Sequence, residues 1–143
     1  MKALNLLCLG FFFAAFILSC NKGDDSPQPE PTVEELLTSG MWYYESQSGY
    51  PLNDCDRKSN LRLLKNGNFV IEEYDDDSGT CERTEPYSGT WELHSDEVFA
   101  LVTGTYILEY TIVSITDTKL VLQYSGGGST PATFILDKNP GNG

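Results

Sequence analysis

The side chains that could do covalent chemistry in this 143-residue chain are four cysteines and a single histidine. A thiol can form a disulfide, bind a metal or act as a nucleophile, and its compartment and neighbours decide which. Cys8 lies in an apolar segment, Ala3 to Leu18, that follows Lys2. A membrane-spanning helix needs about 20 apolar residues, so this shorter segment is typical of a secretory signal. We therefore expect residues 1–19 to be a signal peptide and the remainder to be exported.

The apolar segment ends in Leu18-Ser19-Cys20, which resembles the lipobox of bacterial lipoproteins. The resemblance implies that Cys20 becomes the N-terminal residue and that its thiol receives a diacylglyceryl group, whose acyl chains include palmitate. Two or more acyl chains anchor a protein stably, so the membrane is an expected partner through this lipid. We expect an outer-membrane lipoprotein of the bacterial cell envelope, exposed at the surface. An ordinary signal peptide with an incidental cysteine is the alternative.

Residues 20–31 are predicted to be a disordered tether, because they are polar, acidic and rich in proline. The acids that follow Cys20 resemble the export tag that sends lipoproteins to the outer face of some Gram-negative outer membranes. A merely solvated linker explains the same charges equally well.

Composition limits the partners of the exported part. The chain has 21 Asp and Glu against nine Lys and Arg, for a net charge of -12. Such a surface repels nucleic acid, so no nucleic-acid partner is expected. We expect a monomer with one folded domain over residues 32–139 and a short tail over residues 140–143.

Cys55 and Cys81 remain as an isolated pair in an exported chain, where disulfides form and persist. They flank Asn66-Gly67, the strongest short signal for a β-hairpin. With a two-residue turn there, paired positions sum to about 133, whereas 55 and 81 sum to 136. A loop or bulge beyond the hairpin absorbs that difference, so a Cys55–Cys81 disulfide is predicted.

The sequence lacks the residue combinations that common enzyme mechanisms need. His94 lies beside Ser95 and Asp96 at a predicted strand end, where an exposed turn histidine is favoured over a catalytic base. No serine sits in a nucleophile elbow and no free Cys-His pair remains, so we predict neither an enzyme nor a cofactor. The acidic loop Asp75 to Glu82 resembles the start of a calcium loop but lacks the twelve-residue pattern. We favour a solvated turn and predict no metal site.

The elements that position these residues are mostly strands. The pattern Thr32-Val33-Glu34-Glu35 predicts a capped short helix that ends by Gly40. Beyond it, residues alternate with period two between short turns, and sequential antiparallel strands of this kind can close into an up-and-down barrel. The fold class is therefore all-β, an eight-stranded antiparallel barrel with strands near residues 41–45, 60–65, 68–74, 87–94, 97–103, 105–115, 119–125 and 132–138.

Alternation assigns most large aromatic side chains to the barrel interior. The inward residues include Trp42, Phe69, Trp91, Tyr106, Tyr110, Tyr124 and Phe134. Seven such rings favour a filled barrel, although a shallow pocket at one mouth is also compatible with this pattern. Ile107, Val113, Val121 and Ile135 fall on the outer face, either under the helix or as an exposed patch.

Two Gly-x-Trp stretches, Ser39 to Trp42 and Ser88 to Trp91, open predicted strands, and a late Leu120 to Tyr124 strand follows. Together with the lipobox and the cysteine pair, they resemble the lipocalin-like domain of bacterial surface lipoproteins. In each stretch the glycine permits close backbone approach and the tryptophan plugs one end of the barrel. The resemblance implies binding of a small hydrophobic ligand, for which the candidate residues are Trp42, Phe69, Trp91, Tyr110 and Tyr124.

Two functions remain open on these grounds. The first is a lipid-anchored envelope lipoprotein whose barrel binds a small hydrophobic ligand. The alternative is a surface protein-protein interaction module with a filled barrel and its contacts in the loops 46–59 and 75–86. Replacing Tyr50 and Arg57 is expected to impair only the interaction module.

Overall fold

The computed structural model of the protein describes residues 29–126 and 130–141. The predicted signal peptide, the lipidation of Cys20 and most of the tether lie outside the described residues. Of the helices within those two ranges, none has the length and apolar character needed to span a membrane.

A short helix, α1 (Val33–Leu37), begins at Thr32 as the capping pattern predicts. The Glu35 backbone N–H donates to Thr32 Oγ1 at 3.2 Å, and the Thr32 backbone N–H donates to the Glu35 carboxylate at 2.9 Å. These bonds satisfy two backbone donors that a helix start otherwise leaves unpaired, and the bonds that the Glu35 carboxylate accepts from Thr32 lower its pKa. Leu37 is completely buried, so α1 packs on the end of the sheet and covers it.

In the described residues after α1 there are ten strands, and a 3₁₀ turn, Asp56–Lys58, lies between the first two. Their bounds are β1 (Met41–Gln47), β2 (Asn60–Leu63), β3 (Asn68–Glu72), β4 (Tyr74–Asp75), β5 (Glu82–Arg83), β6 (Tyr87–Ser95), β7 (Val98–Thr103), β8 (Tyr106–Ile115), β9 (Lys119–Tyr124) and β10 (Ala132–Asp137). The eight predicted strands are all present. The third ends at Glu72 rather than Tyr74, because β4 turns away to pair with β5 in a separate ribbon.

The remaining eight strands close into an antiparallel barrel in which sequence neighbours pair throughout. β3 pairs with β6 across the β4–β5 ribbon, and β10 returns to pair with β1, as at Leu136 opposite Tyr44. The predicted up-and-down barrel is therefore confirmed. Closure leaves none of these eight described strands with a free edge, because each has a partner on both sides.

The β2–β3 hairpin differs from its prediction by one residue. Leu61 lies opposite Ile71, and the Leu64 backbone N–H donates to the Asn68 carbonyl at 2.8 Å. The loop thus contains three residues and ends in Gly67, whose φ of +81° lies in the left-handed region. This is a three-residue hairpin that places glycine at its last position, not the two-residue turn expected from Asn-Gly alone.

Two tryptophans seal the half of the barrel near α1. Trp42 is fully buried and its indole N–H donates to the Leu37 carbonyl at 3.0 Å, while the Trp91 N–H donates to the Leu64 carbonyl at 2.9 Å. The Lys138 ammonium lies 3.3 Å from the centre of the Trp42 ring. Burial lowers the Lys138 pKa to about 8, whereas the ring face favours the charged form.

The second Gly-x-Trp stretch has the close backbone approach that the pattern predicted. A Cβ atom at Gly89 would lie 2.1 Å from the Val102 carbonyl oxygen and 2.8 Å from the Phe69 ring. Neither neighbour can be displaced cheaply, because one is backbone of β7 and the other is a buried core ring.

Alternation fails at two places. Tyr106 was predicted to face inward but is 73% exposed, because it starts β8 at the rim, beyond the enclosed interior. Phe99 and Leu101 are fully buried core residues that alternation did not assign, since β7 is apolar on both faces. Of the outer apolar residues, Ile107 and Val113 form exposed positions on β8, where a register shift follows Ile112.

Candidate ligand-binding cavity at the open end of the barrel

The connections at the two ends of the barrel differ in length. At the end covered by α1, neighbouring strands are joined by short turns, whereas the other end has long connections over residues 48–59 and 73–86. A cavity of about 440 Å³ lies among these long loops. Its volume falls in the range of roughly 300 to 1,000 Å³ that small-molecule sites occupy.

The floor of the cavity is apolar and aromatic. It is formed by inward residues of four barrel strands: Tyr44, Phe69, Ile71, Leu108, Tyr110 and Phe134. The rings contact one another, with Tyr44 to Phe134 and Tyr110 to Phe134 edge-on at 6.1 and 6.2 Å between centroids. Phe99 stacks on Tyr110 at 5.4 Å from the core side. This packing holds the floor in place from below.

The walls come from the two long loops. The first contributes Tyr50, Leu52 and Asp56, and the second contributes Tyr74 and Asp75, with further polar contacts from Gln47, Ser59, Glu73, Thr84, Tyr87 and Thr103. The Tyr74 backbone N–H donates to Ser59 Oγ at 2.9 Å, which ties one loop to the base of the other. The Thr84 N–H donates to the Glu73 carbonyl at 2.9 Å and closes the base of the ribbon.

A disulfide joins the same two loops. Cys55 and Cys81 are bonded, with their Cα atoms 5.5 Å apart, as the sequence predicted. Beside it, the Asn53 side-chain amide donates to Asp76 at 3.3 Å, and Asn53 also organises its own turn by accepting from Cys55 at 2.7 Å. The covalent bond and these hydrogen bonds hold the walls together over the floor.

Two phenols of the floor have perturbed acidity. Burial, the neighbouring Tyr124 and the charge of Glu73 together raise the pKa of Tyr110 to about 12, with burial the largest cause. The Tyr44 pKa lies above its usual range for the same leading reason, with Tyr110 and Glu73 adding to it. Both phenols therefore remain neutral hydrogen-bonding groups at ordinary pH, and Glu73 lies near enough to act on both.

A family model of the lipocalin-like domain matches residues 38–122, more than half of the chain. The chain belongs to the lipocalin-like domain family. This membership agrees with the prediction from the Gly-x-Trp stretches and with the prediction that the chain is not an enzyme.

The solved structures that are similar to this lipocalin-like chain include two bovine proteins. The bovine lipocalin allergen Bos d 2 is 15% identical, has a TM-score of 0.43, and is matched over 74% of this chain and 75% of that chain. A deswapped triple mutant of bovine odorant-binding protein is 15% identical, with a TM-score of 0.41, over 73% and 74% of the two chains. None of the curated proteins compared with the chain matches it.

The lipocalin-like barrel separates the five candidate ligand residues into two groups. Phe69 and Tyr110 line the cavity, and the Tyr124 ring lies 5.4 Å from that of Tyr110 without being part of the lining. Trp42 and Trp91 lie in the sealed half with their indole N–H groups bound to backbone carbonyls. The structure therefore brings together two of the five at the cavity.

The sequence did not indicate most of the other lining residues. Phe134 was assigned to the interior but not to a ligand site, because alternation gives the face of a strand and not the end that stays open. Leu52 lies in a loop, where no periodicity exists to place it, whereas Glu73 and Tyr74 lie in the predicted strand 68–74 but beyond the end of β3. The interior is thus filled at one end only, and Tyr50, reserved for the interaction hypothesis, also lines the cavity.

The histidine that was considered as a catalytic base lies outside the cavity. His94 is on the outer surface of β6, 3.8 Å from Glu92 and 3.6 Å from Glu109 by their nearest nitrogen and oxygen atoms. In the described part of the chain, no three His, Cys, Asp or Glu side chains are arranged to hold a metal ion.

Proposed function

We propose that the protein is a lipid-anchored lipoprotein of the bacterial cell envelope whose lipocalin-like barrel holds a small, largely apolar molecule in the open-end cavity. The cavity itself carries this proposal, because its floor is apolar, its volume suits a small molecule and its walls are clamped. A preformed site of this kind binds at low entropic cost, since the loops are already ordered.

The anchor is supported by the lipobox-like Leu18-Ser19-Cys20 and by the proline-rich segment that follows it. A disulfide between loops also suits an oxidising compartment outside the cytoplasm. In this account the lipid holds the barrel at the outer membrane, and the tether lets its open end face the surroundings.

The ligand is tested by native mass spectrometry of residues 21–143, which is the mature chain without Cys20 and its lipid, purified without a tag from an oxidising compartment. We expect extra mass that disappears on denaturation, and extraction then identifies the molecule. If the native mass matches the bare chain and no apolar probe binds in titration, the ligand-binding function is contradicted.

The anchor is tested by growing expressing cells with labelled palmitate. We expect label in the wild type and its loss in Cys20→Ala, together with release of the protein from the membrane fraction. Cys8→Ala, which alters a cysteine of the signal peptide, is the matched control and should retain the label. Equal labelling of Cys20→Ala and wild type would contradict lipidation at Cys20.

A further inference from the structure

The charged side chains that line the cavity are all acidic. Asp56, Glu73 and Asp75 line it, and among the residues that the structure describes no Lys, Arg or His does so. A site for a fatty acid or another organic anion needs a cation or several N–H donors facing the bound carboxylate. This cavity offers the opposite electrostatic environment.

The basic residues of the surrounding loops do not neutralise these acids. Arg83 contacts Glu72 at 2.9 Å and Arg57 contacts Asp54 at 3.8 Å, and neither Glu72 nor Asp54 lines the cavity. Within the described ranges, Glu73 and Asp75 form no ion pair with any basic side chain. Their negative charges are therefore available to a bound molecule.

The aromatic rings that line the cavity also favour a bound cation. Seven tyrosine and phenylalanine rings border the cavity, and the face of an aromatic ring carries partial negative charge that attracts a cation. Tyr44 and Tyr110 line the cavity together with Glu73, whose charge contributes to the raised pKa of both phenols. Rings and a carboxylate thus converge on the same part of the cavity.

We infer that the cavity takes an organic cation, a molecule with an apolar body and an ammonium group. The apolar body occupies the floor between Phe69, Leu108 and Phe134, and the ammonium group lies among the phenol rings and the Glu73 carboxylate. The net charge of -12 on the whole chain attracts such a molecule and repels its anionic counterparts. This inference rests on the proposed ligand-binding function and names the class of ligand.

Three probes with the same hydrocarbon chain test it by calorimetric titration of the mature chain at neutral pH. They are octyltrimethylammonium, octan-1-ol and octanoate. We expect the ammonium probe to bind at least about tenfold more tightly than octanoate, with octan-1-ol between them. Added salt should weaken the binding of the ammonium probe and leave that of octan-1-ol nearly unchanged.

Two neighbouring substitutions provide the matched comparison. Glu73→Gln should reduce affinity for octyltrimethylammonium roughly fivefold to tenfold and leave octan-1-ol unchanged. Glu72→Gln removes an equal charge that is already paired with Arg83 outside the cavity, so the affinity for either probe should not change.

The outcomes separate the two proposals. If octan-1-ol binds and the ammonium probe binds no more tightly than octanoate, or if Glu73→Gln leaves ammonium binding unchanged, the cation inference is overturned while ligand binding stands. If none of the three probes binds, both are contradicted.

Discussion

The two ends of this barrel contain similar side chains in different arrangements. At the end covered by α1, Trp42 and Leu37 are fully buried and the indole N–H has a backbone partner. At the open end, Tyr44, Tyr110 and Phe134 are only partly buried and enclose space instead of filling it. Aromatic content alone therefore does not decide whether a barrel is filled.

The difference separates stability from binding. The sealed end supplies a continuous core, and the open end is held by a disulfide and a few loop hydrogen bonds. A site that is clamped from above and built on a rigid core can remain partly empty without collapsing. Substitutions at the two ends should therefore have different consequences.

The largest effect is expected from Trp42→Ala. It removes a fully buried ring and leaves Leu37 without its hydrogen-bond partner, so it should lower the free energy of unfolding by about 4 kcal/mol. Tyr87→Ala, at a lining residue that is 55% exposed, should cost less than about 1 kcal/mol. Urea denaturation measures both, and equal losses would remove the distinction between the ends.

The next largest effect is expected from removing the Cys55–Cys81 disulfide. Replacing Cys55 and Cys81 together with serine opens a loop with a sequence separation of 26, and should cost roughly 3.5 kcal/mol in the chain-entropy model. Because the bond joins the cavity walls, binding of an apolar probe should weaken as well. Urea midpoints and probe affinity should be compared in the same variant, to show whether the disulfide supports both the stability of the fold and the binding of the probe. Unchanged affinity would mean that the disulfide contributes to stability alone.

A smaller effect is expected where the barrel strands approach most closely. Gly89→Ala places a methyl group against the Val102 carbonyl and the Phe69 ring and should cost about 2 kcal/mol by thermal or urea unfolding. Ser88→Ala, at the preceding exposed position, is the control and should be nearly neutral. A neutral Gly89→Ala would mean that the strands separate more easily than the geometry implies.

An effect that is absent at neutral pH concerns the phenols of the open end. Unfolded tyrosines ionise near pH 10, but burial raises the pKa of Tyr110 to about 12 and that of Tyr44 above its usual range. The unfolded chain therefore loses these protons first, so the free energy of unfolding should fall as pH rises from about 10 through 12. Tyr110→Phe should reduce this fall.

Absorbance at 295 nm follows the same groups directly. Tyr44 and Tyr110 should form a delayed fraction that ionises at higher pH in the folded protein than in the unfolded chain. Tyr106→Phe, at the exposed rim, should leave this delayed fraction intact. Loss of the delayed fraction in Tyr106→Phe, or its absence in wild type, would contradict the burial of the cavity phenols.

Local patterns predicted most of the fold. Thr32 and Glu35 predicted the start of the helix, and alternation predicted the eight strands. Two cysteines in a chain expected to be exported predicted the disulfide. The misses have physical causes. The three-residue loop before Asn68 depends on register between strands, and the exposure of Tyr106 depends on where the barrel rim ends.

The site was less predictable than the fold. Phe69 and Tyr110 were identified because alternation points them inward, but the same rule also selected Trp42 and Trp91, which lie at the sealed end. Leu52 reaches the cavity through a loop path that the disulfide constrains, and no local sequence signal encodes that path. Glu73 lies in the predicted strand 68–74, on the same face as Phe69 by alternation, but it was not selected as a ligand residue.

Two adjacent residues of β8 allow the most direct test of the open-end cavity. Leu108 lines the cavity, whereas Ile107 is 66% exposed on the outside of the same strand. Binding of octan-1-ol to Leu108→Trp and to Ile107→Trp should be measured by calorimetry, with circular dichroism to confirm that both variants are folded. We predict that Leu108→Trp loses binding because the added ring occupies the cavity, while Ile107→Trp binds like wild type. Equal binding by two folded variants would contradict a ligand site inside the open end of this barrel.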